Sequence, residues 1–492
     1  MTRSPVFLPA SDKYLPLAFA LLPIVVVFWV TQVWGIAVLK EQFVWLAKAN
    51  ELAAGAKFDF TQVNYPAGPL WPLLLSYFAK GGFAIEFVAR LWQGLMLGLL
   101  LYTITRFYLR HLLSRVVVAG ASLAACTGFL LLSEAFSLSP LPTALLLCTL
   151  GLLALARFLL EEETLAFMAA TVCIGIATLM WFPAIALAIG CMLAILLGGR
   201  GNLSRRFSGL IFFSAAAWIP ALYLLSQVTA PQYELFGGIL PAIDSVSAWT
   251  MWSTWPIWLR VLLTLAVLIS LLYVYLATRG PAGIGPALKR RELQVWILLC
   301  FVWLLHLLVF PLTTTLVVLI PAFVLWPALG IDSFRDFQPV ANAWSGKGTA
   351  VAVWSCLIIL LIPVWQAGAF GWKTFQAGDG LRGFEFQSSA LLNELRADHS
   401  KPIYCDNPAL LTFAMNREIK KLPDDLKSLE LVESRVVVLG DSCPPGICKD
   451  DSAAHPTLTF AAKLAVREGL LYDVTFRAPE PALTASDSLT IP

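Results

Sequence analysis

Glu41 and Glu134 are the two carboxylates whose positions in this chain could do chemistry. Each lies at the end of a long apolar run, where a charge wants water, a partner or a task. A carboxylate there can take the proton from an acceptor hydroxyl. Arg90 and Gln93 stand three residues apart in the second apolar run, and Arg260 begins a later one. These three carry donors suited to a phosphate. His306 lies near the end of another apolar run and could move a proton. Each residue also has a plainer reading. An acid such as Glu41 favours a helix N-terminus in any case. Glu86 precedes Arg90 at i,i+4, a stabilising helix pair. Arg260 can snorkel, and His306 can be a hydrogen-bonded structural residue. No Cys, His or acidic spacing makes a metal site, and LGDSCPPG at 439–446 does not fit a dinucleotide loop. The expectation is a chemistry without cofactor.

The elements that must position these residues are membrane spans. The chain has 492 residues, 59% hydrophobic and 13% charged. A soluble protein would carry about a quarter charged residues. Apolar runs cover roughly 14–39, 84–105, 115–133, 140–160, 164–181, 183–199, 207–227, 257–278, 294–311, 314–331 and 348–371. The pattern predicts about eleven transmembrane helices. Trp181-Phe182-Pro183 splits one long run into a tight hairpin. The N-terminus has no clear cleavage site and reads as a retained first span. The net charge of +3 gives no hint of nucleic acid.

Lys and Arg set the expected orientation. With the N-terminus in the cytoplasm, the short inner segments hold fifteen of them. The outer loops at 134–139, 181–183, 228–256 and 312–313 hold none. Residues 40–83, the loop 228–256 and the C-terminal region then face outward, into the periplasm of a Gram-negative cell. The 228–256 loop carries Glu234, Asp244 and Trp249, Trp252 and Trp255, which suit an interfacial anchor or sugar stacking.

Residues 41–54 read as an amphipathic helix with Phe43, Trp45, Leu46, Ala49 and Leu52 on its apolar side and Gly55 as its stop. NYPAGPLWP at 64–72 is a turn, and the apolar run 70–78 is too short to span. The transmembrane domain is expected over 1–372 and a small α/β domain over 373–480, with a disordered tail at 481–492. In that domain 385–397, 408–417 and 457–469 read as helices. KPIYCDN at 401–407, SRVVVLGD at 434–441 and LLYDVTF at 471–477 read as strands. Cys443 and Cys448 bracket Pro-Pro-Gly-Ile, so in an oxidising compartment they are expected to form a disulfide; Cys405 is expected to be a buried free thiol, although it could pair with either.

An acid just past the first span, an aromatic four residues on, an A-x-A-x-x-L-x-x-G helix and a Pro-rich entry into an apolar stretch form a pattern. It resembles the GT-C membrane glycosyltransferases, especially bacterial relatives of the protein O-mannosyltransferases and of the lipid A aminoarabinose transferase. The resemblance puts Glu41 at the catalytic acid and Trp45 where the family has Tyr. It sets Asn64-Tyr65-Pro66-Ala67-Gly68-Pro69-Leu70 at the Pro-rich entry, with Tyr65 among the substrate contacts. Some members carry S-x-E-A-R-x-Y at the third span. This chain keeps Ser133, Glu134 and Ala135 but has Phe136 and Leu138 for Arg and Tyr. Trp181 stands where many members have a basic residue, and Thr313-Thr314-Thr315 where many have R-Y. The resemblance implies transfer of a hexose or pentose from a polyprenyl-phosphate carrier to a glycan, lipid or protein acceptor at the outer face of the plasma membrane. Arg90, Gln93, Arg260 and His306 would serve the donor. A lipid or polysaccharide transporter, or an inactive relative acting as scaffold, is the competing reading.

Overall fold

The structure is a computed structural model. It describes residues 10–57, 67–198, 203–217, 257–278, 318–336, 346–423, 434–439, 458–466 and 469–476, apart from residues 113, 133, 319, 382, 398–400 and 416. Two compact units emerge: Met1–Ile36 with Val44–Gln376, and Ala37–Phe43 with Ala377–Pro492.

The first unit is helical. Its helices are α1 (Ala10–Val30), α2 (Lys40–Ala53, which begins in the other unit), α3 (Leu70–Lys80), α4 (Ile85–His111), α5 (Arg115–Leu132) and α6 (Leu141–Glu161). Then come α7 (Thr164–Met180), α8 (Ile185–Gly198), α9 (Leu203–Ala217), α10 (Ile257–Thr278), α11 (Ile320–Asp336) and α12 (Gly346–Ala377). Each predicted span has a helix on it except 294–311, which lies outside the described residues. Among the described helices, residues 85–111, 141–161 and 350–377 are long and apolar enough to cross a bilayer. Exposed apolar residues line the helices four apart. Leu17, Leu21, Val25 and Trp29 do so on α1, and Leu91, Leu95 and Leu99 on α4. Such stripes would be a liability in water and suit a lipid exterior. This is a helical membrane protein.

Small residues set the closest helix contacts. Gly94 and Gly98 on α4 make a G-x-x-x-G pair against α1. A Cβ on Gly98 would lie 2.5 Å from the Ala20 carbonyl oxygen, and one on Gly94 would lie 3.1 Å from Ile24 Cα. In lipid, where no hydrophobic drive brings helices together, such backbone approach is what van der Waals packing needs. Gly151 does the same for α6 on α7, facing Ile174 and Cys173. Buried Asp332 of α11 accepts the Ser114 N–H at 2.9 Å, closing the start of α5.

The expected first span, 14–39, is corrected. The helix ends at Val30, and residues 31–34 form a turn. Gly35 has φ +75, a left-handed conformation that a helix does not continue through. The chain then runs into the second unit at Ala37.

In the second unit Val38 pairs with Gly380, and the Leu381 N–H donates to the Val38 carbonyl at 2.9 Å. After a short turn at Phe384–Gln387 (α13) come α14 (Ala390–Ala397) and α15 (Pro408–Met415). The strands are β1 (Ile403–Cys405), β2 (Lys420–Lys421), β3 (Ser434–Val438), β4 (Leu458–Val466) and β5 (Gly469–Phe476). They form one mixed sheet in the order β2-β1-β3-β5-β4. β1 is parallel to β2 and β3, while β5 is antiparallel to β3 and β4. β3 is buried throughout, which fits the apolar run Val436-Val437-Val438-Leu439. The expected helix 385–397 breaks at Ser388-Ser389, where the Ser389 hydroxyl accepts the Leu392 N–H and starts α14.

The expected helix over 457–469 is a strand. TLTFAAKLAV has helix formers, but Leu458, Phe460, Ala462, Leu464 and Val466 also alternate. Pairing with β5 decides between the two periods, from Leu458–Phe476 to Val466–Gly469. Register shifts between Ala462 and Leu464, around Lys463. Lys463 reaches Glu394 at 2.7 Å and Asp473 at 3.6 Å. Arg435 lies beneath, its side chain 3% exposed, at 3.2 Å from Asp473 and 3.6 Å from Glu394. Two cations and two acids thus tie α14, β3, β4 and β5 together.

Gly98→Val is expected to cost about 1–3 kcal/mol through overpacking, read as a lower unfolding temperature in nanodiscs. Gly120→Val, where a Cβ meets nothing within 4 Å, is the control; equal losses would contradict the close approach. Arg435→Met should destabilise the second unit by about 2–3 kcal/mol, at or just below the ~3–5 kcal/mol of a fully buried pair because both acids are partly in water. Proteolysis of that unit in rising urea measures it, and an unchanged midpoint would refute the network's role. The hydrogen bond from Lys463 to Glu394 raises the ammonium above its ordinary 10.5. Its contribution is therefore full below pH 10.5 and is lost as pH rises through the raised folded value.

Candidate functional site

One end of the helical unit gathers the ends of several helices. The C-terminal ends of α1 and α12 meet there. Trp29 stacks on Phe375 with centroids 5.0 Å apart, and Trp34 Nε1 donates to the Gln376 carbonyl at 3.2 Å. The N-terminal part of α4 lies against the end of α1. Arg90 Nε donates to Thr31 Oγ1 at 2.8 Å, and a second guanidinium nitrogen donates to the Phe28 carbonyl at 3.1 Å. The guanidinium also lies over the Phe28 ring, 5.0 Å from its centroid. Arg90 therefore caps the last turn of α1, where a cation also meets the negative end of the helix dipole. It is engaged with the fold through these donors.

Gln93 stands one turn further along α4 and is fully buried. Its side-chain amide donates to the carbonyls of Ser137 at 3.0 Å and Ser139 at 2.6 Å. Trp92 beside it donates from Nε1 to Thr143 Oγ1 at 2.8 Å, reaching the first turn of α6. Together they hold the α6 side of the loop that joins α5 to α6. Glu134 is in that loop. It is exposed and adopts φ +52, a left-handed conformation that a non-glycine residue rarely takes. Its own carbonyl accepts the Ser137 N–H at 3.0 Å and the Ser137 hydroxyl at 3.1 Å. Phe136, which stands where the resembled pattern has Arg, is buried and packs against Phe370 of α12.

The Pro-rich segment docks at the break between α7 and the one-turn 3-10 helix Phe182–Ala184. Ala67 pairs with Trp181, and the Gly68 N–H donates to the Met180 carbonyl at 2.8 Å. A Cβ on Gly68 would overlap the Leu179 carbonyl, so the position admits only glycine. α3 starts directly after it. Trp71 in its first turn is fully buried. At eleven residues, α3 is too short to cross a bilayer, as the sequence predicts.

The remaining candidates stand as follows. Glu41 lies in the first turn of α2, in the segment 37–43 that belongs to the second unit; its side chain is outside the described residues. Trp45 is 3% exposed on the buried face of α2, with Phe43, Leu46, Ala49 and Leu52, while Lys48 pairs with Glu51 at 3.2 Å. Gly55 stops that helix with φ +101. Arg260 lies on α10, its side chain undescribed. Tyr65, His306, Glu234, Asp244, Cys443, Cys448 and the tail at 481–492 lie outside the described residues. Cys405 is buried, with its Sγ 3.2 Å from Asp406 Oδ1. That carboxylate also accepts the N–H groups of Asn407 and Leu439, both at 2.9 Å, and so staples the ends of β1 and β3. No cluster able to hold a metal occurs among the described residues.

The structure thus brings Gln93 together with the Glu134 loop and sets Arg90 to cap α1. Sequence reasoning missed Thr31, Ser137, Ser139 and Thr143 as partners. Their signal is faint: small hydroxyl residues at the mouths of apolar runs, which sequence alone cannot pair across about fifty residues. Chemically, the helical unit offers an exposed carboxylate on an anchored loop.

No family model matches the chain, and no curated protein matches it. Among solved structures it is similar to the arabinofuranosyltransferase AftD from mycobacteria. The likeness covers 94% of this chain at 16% identity with a TM-score of 0.49. The chain spans 40% of the length of that protein. At that degree of similarity the site is read from its own residues.

Gly68→Ala is expected to lift the 67–68 segment off Met180. Trypsin should then cut at Lys57 or Lys80 at least ~10-fold faster in nanodiscs, the ratio that about 1.4 kcal/mol of lost local stability gives. Gly120→Ala is the control for general loosening, since a Cβ there meets nothing within 4 Å. Cleavage of the Gly68 variant at the wild-type rate would show that the docking is dispensable.

Proposed function

We propose that this chain is a membrane glycosyltransferase of GT-C type. It moves a hexose or pentose from a polyprenyl-phosphate carrier to a glycan, lipid or protein acceptor at the outer, periplasmic face. The N-terminus then lies in the cytoplasm of the plasma-membrane protein, and the C-terminal α/β unit in the periplasm. The observation that carries this reading is Glu134: an exposed acid in a left-handed conformation on a tight loop between two apolar helices. A non-glycine residue held so costs of order 1–3 kcal/mol, and such strain clusters at functional sites. A carboxylate at the membrane surface can deprotonate an acceptor hydroxyl while the lipid-borne donor stays in the bilayer. A lipid-linked donor also needs no nucleotide-binding loop, and the sequence has none.

Glu41 is the second acid of this reading and, by the resemblance, its first candidate base. Its place at the start of α2 suits a carboxylate in either role. Tyr65, Trp45, Arg260 and His306 complete the proposed donor and acceptor contacts. Arg90 joins them through its hold on the end of α1, which fixes where the chain leaves the membrane. The Lys/Arg asymmetry supports the orientation, as do the C-terminal ends of α1 and α12 meeting at one end of the unit.

The test uses the full chain in nanodiscs with a panel of undecaprenyl-phosphate pentoses and hexoses and a membrane extract as acceptor. Glu41→Gln and Glu134→Gln keep size and hydrogen-bonding capacity but remove basicity. Whichever acid is the base, its exchange should cut kcat by ~10²–10⁴-fold while leaving KM nearly unchanged. Full transfer by both folded variants would end the proposed mechanism. A deletion strain that accumulates no lipid-linked sugar would end the proposed activity.

A further inference from the structure

Gln93 presents a puzzle on a packing account. It is fully buried in a helix whose other buried residues include Ala89, Leu97, Leu100 and Leu101. Leucine would fill similar space at no polar cost. Instead the amide NH2 reaches two main-chain carbonyls, and Oε1 is buried without a hydrogen-bond partner. An unmatched buried acceptor is costly. The gain that offsets it lies in the loop the amide holds.

That loop is a short relay. Gln93 fixes the Ser137 and Ser139 carbonyls. The Ser139 N–H donates to Ser137 O at 2.9 Å, and the Ser139 hydroxyl accepts the Leu141 N–H at 3.2 Å. Ser137, so fixed, binds the Glu134 carbonyl through both its N–H and its hydroxyl. Glu134 is the residue with φ +52. A strained backbone persists only where its surroundings over-determine it. The Ser137 donors are part of those surroundings, and Gln93 holds the Ser137 carbonyl.

We propose that Gln93 is a positioning residue that acts through Ser137 to hold the Glu134 carboxylate in its reactive orientation. The proposal rests on the reading of Glu134 as a base. Gln93 itself need not touch either substrate. Freed from the amide, the carbonyls of 137 and 139 would turn toward other donors. The loop would relax, and Glu134 would leave the left-handed region.

The experiment compares Gln93→Leu and Gln93→Glu with wild type in nanodiscs. Both remove the two N–H donors, one with an apolar side chain and one with the shape of the amide. Hydrogen exchange of the peptide spanning 133–141 should quicken at least ~10-fold in either folded variant, while α4 and α5 keep their protection. With the undecaprenyl-phosphate sugar panel, kcat should fall nearly as far as in Glu134→Gln, with KM within about twofold. Exchange at the wild-type rate, or loosening spread through α4 and α5, would overturn the proposal. So would local loosening with full kcat, provided that Glu134→Gln is inactive. Loss of folding in both variants would make Gln93 a fold determinant and overturn it as well. If Glu134→Gln retains full transfer, the base reading fails by itself, and the exchange data still show whether Gln93 holds the loop.

Discussion

The close approach of α4 to α1 is the contact on which the rest of the helical unit depends. It is made by two glycines, because lipid offers helices no hydrophobic reason to associate and only backbone proximity gives enough dispersion contact. Once Gly94 and Gly98 set the distance, Arg90 lies beside the last turn of α1 and caps it. Gln93, one turn on, then faces the α5–α6 loop. A single helix thereby fixes both the exit of the first span and the loop that carries Glu134.

The membrane exterior explains the rest of the economy of polar groups. Side chains that face outward are apolar at helical spacing, so hydrogen bonds must close inside the unit. They do so locally, as in Thr171 to the Phe167 carbonyl, or across helices, as in Thr105 to Ser122. Those at the end that holds the α5–α6 loop differ in kind. Gln93 and Gly68 do not merely satisfy neighbouring helices. They dock non-helical backbone, which membrane proteins tolerate only where protein covers it. Such docked segments are where a site can be built without exposing peptide groups to lipid.

The second unit is organised by different physics. Its sheet buries β3 on both faces, and one edge of that strand carries a charge, Arg435, into the interior. Glu394 and Asp473 compensate it from two other elements, and Lys463 on β4 shares both acids. The bulge at Lys463 turns that side chain toward the acids and also ends the helical alternative for 458–466.

The sequence by itself determined the apolar solvent and where most of the described apolar helices lie. Composition and run length are integrals over many residues, so single exceptions do not disturb them. Gly55 as a helix stop, the buried face of α2 and the strands at 403–405, 434–438 and 469–476 were legible for the same reason: periodicity and turn chemistry are local. Tertiary structure alone decided the rest. The chain cannot announce that residues 458–466 pair with 469–476, because their helical and strand periods coexist and only a partner strand breaks the tie. Nor can it announce that Arg90 ends α1, or that Gln93 holds Ser137, since hydrogen-bond partners 44 and more residues apart leave no period. Glu134 was visible as an acid at a membrane boundary. Its left-handed backbone was not, because strain of that kind exists only when the surrounding fold enforces it.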